Sequence, residues 1–418
     1  MFDAWGISIF VGFDFHTVDA LRLKSRKELL TLLFRKLLIL RIYSILFDGI
    51  KKLPAEHVEM EKELLLRWMA ESQMLEKANV RLNDAAIQVS EWFRKKGFRT
   101  CILKGQGNAL MYPNPYSRTP GDIDIWVEEG NKRVISFVRS ISPHEKACYH
   151  HIEFPSYKGV EVEVHYRPSF LLCFWHNRKL LKYYERVKEE QFSHRVMLGE
   201  QGEIAIPTAE FNLIFQLTHI YAHLMNEGIG LRQLVDYYYV LCDFYKVYQK
   251  SSKITPSLFT LKEDSTSHPD PLSSGAREKT ALRCSEPLRY KDGGPSKVLP
   301  DCAGWDRLGV VQKELKELGL WKFAGAIMYI MQEVFGMPAS RLIAPPNERF
   351  GKFVLNEVLE AGNFGKHDER NQFGRSKLGH NLQRVYRDMR LVRYFPAEAL
   401  CEPLFRIWHF FWRVKNKK

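Results

Sequence analysis

The chain reads as an α+β protein in which a run of short strands is bracketed by helical regions. Three observations carry that reading. Apolar residues recur at helical spacing in Glu61 to Met74 and again in Val80 to Phe93. From Phe98 the pattern changes to short apolar runs separated by turn residues. After Pro207 helical spacing returns, in Thr208 to Met225 and in Leu231 to Tyr248.

Residues 1–97 form an N-terminal helical region. It opens on MFDAWGISIFVGFDF, apolar but carrying Asp3 and no basic start, so it reads as an extension preceding the domain and not as a signal peptide. Leu29 to Phe47 is apolar but interrupted by Arg35, Lys36 and Arg41. An amphipathic helix packed in the core fits that pattern better than one lying on a membrane surface. Gly97 stops the last helix. Residues 98–206 hold the strands, expected at Arg99 to Leu103, Asp122 to Val127, Tyr149 to Phe154 and Val160 to Tyr166, with one helix near Asn131 to Ser140. Ser156 to Gly159 reads as the turn of a hairpin. Residues 207–249 are helical, with Thr208 as N-cap. Residues 250–304 are rich in Ser, Thr, Pro, Gly and charge without periodicity, as in a disordered insertion. Residues 305–418 resume the helical pattern from Trp305.

A length of 418 residues with 45% hydrophobic content suffices for two or three domains with sizeable cores. The formal charge of +13 favours an anionic partner such as a nucleotide, a nucleic acid or an acidic membrane surface. The seven cysteines are scattered, odd in number and without a Cys-x-x-Cys pair, which argues for a reducing, cytoplasmic setting over a disulfide framework or zinc knuckle. The sequence holds no uninterrupted apolar run of about 18 residues, so no spanning helix is expected. The aromatic and basic run from Arg406 to the C-terminus admits peripheral contact with a membrane or nucleic acid. The reading we take is a final helix docking Ile407, Phe410, Phe411 and Val414 on the core, with a solvated basic tail.

Three segments carry chemistry. In Gly121-Asp122-Ile123-Asp124-Ile125, strand alternation sends Asp122 and Asp124 to one face, where two like charges need a shared cation. In Glu161-Val162-Glu163-Val164-His165, alternation puts Glu161, Glu163 and His165 on one face, so a third acid can join the pair. Leu103-Lys104-Gly105-Gln106-Gly107-Asn108 supplies a glycine turn after a strand. These are the parts needed to hold a nucleoside triphosphate with one or two Mg²⁺ ions.

The string LKGQGNALMYPNPYSRTPGDIDIWV, with EVEVHYRP and HIYAHLMNEGIGLRQLVDYYYVL downstream, resembles the nucleotidyltransferase superfamily that includes DNA polymerase beta. It is closer still to an uncharacterised bacterial nucleotidyltransferase family with Leu-Lys-Gly, Tyr-Pro, Arg and Asp-Ile-Asp landmarks. The resemblance spans roughly Leu21 to Leu241. It implies a small mixed-sheet core, and transfer of a nucleoside monophosphate from an NTP to an acceptor hydroxyl with release of pyrophosphate. It further implies Mg²⁺ or Mn²⁺ held by Asp122, Asp124 and Glu163, with Lys104, Gly105, Gln106 and Arg118 at the phosphates. The chain departs from the superfamily at Gln106, where a serine hydroxyl is usual, and at Glu163, where aspartate is commoner.

Arg118 has two readings, a phosphate clamp or a salt bridge to Asp122 or Asp124. Arg232 is spaced to pair with Asp236 and also to reach the cleft. His219 and His223, four apart without the glutamate of a metalloprotease helix, read as packing or hydrogen-bonding residues. Lacking a nucleic-acid module, the chain is expected to modify a small molecule or sugar. The alternative is a nucleotide-binding or partner-binding module that has lost transfer chemistry.

Overall fold

The computed structural model describes residues 42–52, 61–253, 307–361 and 377–416. The helices are α1 (Tyr43–Ile50), α2 (Lys62–Lys95), the four-residue α3 (Gln106–Ala109), α4 (Asn131–Ile141), α5 (Phe174–Ser193), α6 (Ala209–Asn226), α7 (Leu231–Lys253), α8 (Arg307–Glu317), α9 (Trp321–Glu333), α10 (Glu348–Ala361), α11 (Lys377–Leu391) and α12 (Pro396–Lys415). Strands β1 (Thr100–Ile102), β2 (Ile123–Val127), β3 (His151–Tyr157) and β4 (Val160–His165) form one sheet in the order β1-β2-β4-β3. The two outer pairings are antiparallel and β2 runs parallel to β4, so the sheet is mixed.

Strand β2 is buried on both faces, and its alternation sorts two different cores. Ile123, Ile125 and Val127 join Val162 and Val164 of β4 against Ala86, Val89 and Phe93 of α2 and Val134 and Val138 of α4. On the opposite face Trp126 stacks on Phe211 of α6 at 5.8 Å and meets Phe192 of α5 at 4.6 Å. Asp124 lies on that second face, one pleat from Trp126, at the edge of the larger helical core. The hydrophobic demand of β2 therefore fixes the direction in which its carboxylate points.

The sheet strands fall where the sequence pattern puts them, with shifts at β3. That strand starts two residues late because Cys148 to His151 fold into a turn, the Cys148 amide donating to the His151 carbonyl at 2.9 Å. It is an edge strand, which tolerates Pro155, and its register slips between Phe154 and Tyr157. Lys158 and Gly159 close the hairpin, Lys158 at φ 51°. Helix α2 is one helix of 34 residues where the periodicity suggests two. Buried Asn79 and Asn83 sit on its inward face and interrupt the apolar stripe.

A second hairpin, β5 (Arg195–Leu198) with β6 (Gly202–Ala205), escapes the sequence reading because each strand has only four residues.

The expected docking of α12 is overturned. Ile407, Phe410, Phe411 and Val414 are each at least half exposed, and the helix packs through Glu398, Ala399, Glu402 and Phe405 instead. The buried acids have partners that make this orientation affordable: Glu398 accepts the amides of Leu172 and Cys173 and faces His176, and Glu402 lies beside Arg384 and Arg406. Residues 1–41 and 254–306, which include the apolar N-terminus, most of the Leu29 to Phe47 segment and nearly all of the expected insertion, lie outside the described residues. Among the described residues no helix is long and apolar enough to cross a membrane, and Cys101, Cys148, Cys173 and Cys401 form no disulfide.

Candidate active site

Parallel pairing of β2 with β4 sets Asp124 directly opposite Glu163, and Trp126 opposite His165. With Asp122 just ahead of β2, one oxygen from each of Asp122, Asp124 and Glu163 lies within 4.8 Å of the other two. Glu161, two residues before Glu163, is exposed and lies outside this group.

Asp124 is the anionic centre. Its Oδ2 is 3.0 Å from Lys104 Nζ, and its Oδ1 accepts from His165 Nε2 at 2.9 Å. Burial opposes its charge, but Lys104 and then His165 outweigh that and hold the carboxyl well below the ordinary range. His165 balances the same terms from the cationic side. Burial disfavours its charged form, yet the hydrogen bonds to Asp124 and Glu163 win and push it up to about 9. Its Nδ1 faces the Arg167 carbonyl at 3.2 Å, so both ring nitrogens act as donors. Asp122 is raised, first by the charge of Asp124 and then by burial. That repulsion is what a cation among the three carboxylates relieves.

Lys104 joins the sheet to the helical core. Burial works against its charge, but Asp124, Asp122 and Glu163 together raise its pKa. Its Nζ also reaches His219 Nε2 of α6 at 3.1 Å. Burial, and then Lys104, keep His219 neutral, so this nitrogen accepts from Lys104, and His223 Nε2 lies 3.0 Å from it. On the other flank His151 Nδ1 stands 3.2 Å from Glu163 Oε2 and 3.1 Å from His150 Nε2. Burial drives His151 down to about 4 and His150 well below its usual value.

Gly105 follows Lys104 at φ 52°, a left-handed conformation that suits glycine, and this sharp turn lays the chain against the Asp122 carbonyl. Gln106 is buried and turned toward α2, where its amide donates to Asn83 Oδ1 and approaches the Asn79 carbonyl at 3.5 Å. Arg118 makes a two-pronged contact with Asp236 of α7, Nε to Oδ1 at 2.9 Å and Nη2 to Oδ2 at 2.8 Å, and both side chains are buried. Its fork therefore grips α7 and neither Asp122 nor Asp124. Arg232 donates to the Pro120 carbonyl at 3.4 Å, and its guanidinium lies where a Cβ on Gly121 would meet it. The loop entering β2 is thus held by two arginines, one buried against Asp236 and one against its backbone.

The structure brings Asp122, Asp124, Glu163, Lys104 and Gly105 together, and sends the side chains of Gln106 and Arg118 to supporting contacts. A family model described as uncharacterised nucleotidyltransferase matches residues 30–248, more than half of the chain. The chain belongs to that family. Neither the curated proteins nor the solved structures gave a match. Sequence reasoning gave the imidazoles no role beside the acids. His165 shares the face of Glu163 in the alternation, and the adjacent pair His150-His151 stands at the start of a strand. His219 and His223 interrupt an otherwise apolar helix at a spacing that puts both on one side. Those were the available signals, and only the fold shows that His165 and His151 touch the carboxylates while His150, His219 and His223 lie behind His151 and Lys104.

Proposed function

We propose that this nucleotidyltransferase moves a nucleoside monophosphate from an NTP to an acceptor hydroxyl and releases pyrophosphate. The convergence of Asp122, Asp124 and Glu163 beside Lys104 carries this reading. An all-oxygen, multiply anionic donor set fits Mg²⁺ or Mn²⁺, and each carboxylate oxygen keeps a second lone pair beyond its present contacts. When bound, the metal neutralises charge on the phosphates and activates the attacking hydroxyl. The protein's own groups do the rest. Lys104 presents a charged ammonium to the phosphates and shares Asp124 with His165, so Asp124 remains ionised. The Gly105 turn gives the phosphates a close backbone approach, and Gln106 supports that turn through Asn83. Arg118 positions the loop leading into Asp122 by gripping Asp236.

The acceptor side lies beyond His151. That residue lines a cavity of about 530 Å³ together with Arg139, His144, Lys146 and Arg413. Its size suits a small molecule, and its three cations, Arg139, Lys146 and Arg413, outnumber the lining acids Glu145 and Glu153, which favours one that bears an anionic group. The test is nucleotide incorporation by purified protein across the four NTPs and a panel of phosphorylated and sugar acceptors. Wild type transfers, while Asp122→Ala and Asp124→Ala each lose about a hundredfold or more; equal activity in all three would sink the assignment.

A binding module without transfer chemistry is the second reading, favoured by Gln106, whose amide is engaged with Asn83 where a serine hydroxyl is usual. Calorimetry with each NTP, with and without Mg²⁺, separates the two: metal-dependent binding with no turnover on any acceptor supports the module.

A further inference from the structure

Beside the three carboxylates lies a donor set of different chemistry. Cys148, Tyr149, His150 and His151 form the tight turn ahead of β3, closed by the Cys148 amide and bracketed by a bridge between Ala147 and Ile152. Tyr149 anchors the turn. Its ring meets Phe170 and Phe405 edge-on at 5.6 and 5.4 Å, and its hydroxyl accepts from Asn177 Nδ2 at 2.8 Å. With Tyr149 held in this way, one ligand atom from each of Cys148, His150 and His151 falls within 4.8 Å of the other two.

The Cys148 to His150 spacing fits a tetrahedral ion. Bonds of about 2.3 Å to sulfur and about 2.0–2.1 Å to nitrogen set ligand-to-ligand edges of roughly 3.3–3.6 Å. Cys148 Sγ lies 3.5 Å from His150 Nδ1, on such an edge, and His151 completes a group that closes within 4.8 Å. One thiolate and two imidazoles are borderline-soft donors that select zinc, whereas the oxygen-only set of Asp122, Asp124 and Glu163 selects magnesium or manganese. The neighbourhood supplies both an access route and an orienting contact. Cys148 and His151 line the cavity of about 530 Å³. His151 Nδ1 stands 3.2 Å from Glu163 Oε2, the kind of carboxylate contact that fixes the ring of a histidine ligand and leaves its Nε2 for the ion.

We propose that Cys148, His150 and His151 form a zinc site with three protein ligands and a fourth position open toward this cavity. Binding displaces the thiol proton to solvent and leaves sulfur as a thiolate ligand. Because His151 also touches Glu163, the ion lies one imidazole away from the carboxylates. The site does not depend on the nucleotide-transfer reading and is tested without any nucleotide.

Cys173, His176 and Glu398 also converge, but both oxygens of Glu398 are engaged, by the Leu172 and Cys173 amides and by His176. Cys173 therefore serves as the control. The full-length chain, stripped with EDTA and kept reduced, is titrated with Co²⁺ and then with Zn²⁺. One equivalent of Co²⁺ should give a thiolate-to-cobalt charge-transfer band with the strong visible bands of tetrahedral cobalt, and Zn²⁺ should bleach both. Cys148→Ser should abolish the charge-transfer band, and His150→Ala should weaken binding at least tenfold. Cys173→Ser and Asp124→Asn should leave the spectrum unchanged, with circular dichroism confirming that each variant is folded. Absence of the band in the wild type overturns the proposal without reference to any variant. So does a band that survives Cys148→Ser or disappears in Cys173→Ser.

Discussion

Arg118 and Asp236 show why a residue singled out by a motif need not touch the ligand. Their side chains are 3% and 7% exposed, and the carboxylate also accepts from Tyr112 at 2.6 Å. Replacing Asp236 by Asn leaves a guanidinium buried without its counter-charge, which costs about 3–5 kcal/mol and should lower the urea midpoint accordingly. The groups acting on Asp236 set the pH dependence. Burial raises its pKa, but Arg118, followed by Arg232 and the Tyr112 hydroxyl, outweighs burial and leaves it lowered. A carboxyl depressed in the folded state stabilises above its unfolded pKa of about 3.9 and loses that contribution as pH falls through the folded value. The gap between wild type and Asp236→Asn should therefore be full at neutral pH and close only below about pH 3.9. A gap unchanged at pH 3 would show that the pair contributes through packing and not through charge.

Among the elements, those whose apolar and acidic residues sort regularly by face were readable, and the helix that buries its acids was not. Strand β2 announces itself through Ile123, Ile125 and Val127, and its acids through their alternation with these residues. The partner acid was equally visible in β4, since alternation there separates Val162 and Val164 from Glu163. What alternation cannot say is which strands are neighbours, and so His151, His165 and His219 gave no sign of meeting around Asp124. Helix α12 misled for a related reason. A helix carrying both aromatic residues and acids is ordinarily oriented with the aromatics inward, but here Glu398 finds two backbone amides and His176, and Phe405 alone carries much of the apolar contact. Phe405 is 7% exposed and lies 5.2 Å from Phe170, while Phe411 is 65% exposed. Phe405→Ala should cost about 3–5 kcal/mol, whereas Phe411→Ser should stay within about 0.5 kcal/mol of wild type. Chemical denaturation of both variants measures the difference, and equal losses would mean that the helix buries its other face in solution.

Across the whole molecule, the candidate site joins two cores. The sheet with α2 and α4 contributes Asp122, Asp124 and Glu163, and the larger helical core contributes His219 from α6 and Asp236 from α7. Lys104 bridges them, with one ammonium contacting Asp124 and His219. A ligand that engages both the acids and Lys104 therefore ties the two cores together and stabilises the chain as a unit. By mass action, a ligand at a hundred times its Kd adds about 2.7 kcal/mol to a fold that binds it only in the native state. Mn²⁺ together with a non-hydrolysable NTP should accordingly raise the melting temperature by more than the sum of the shifts each gives alone, because the metal and the triphosphate share the same carboxylates and ammonium. Asp124→Asn should remove most of the combined shift. Lys104→Ala should keep the response to Mn²⁺ and lose that to the nucleotide. Additive shifts in the wild type, or a combined shift that survives Asp124→Asn, would place nucleotide and metal in separate sites and detach the function from the carboxylates of β2.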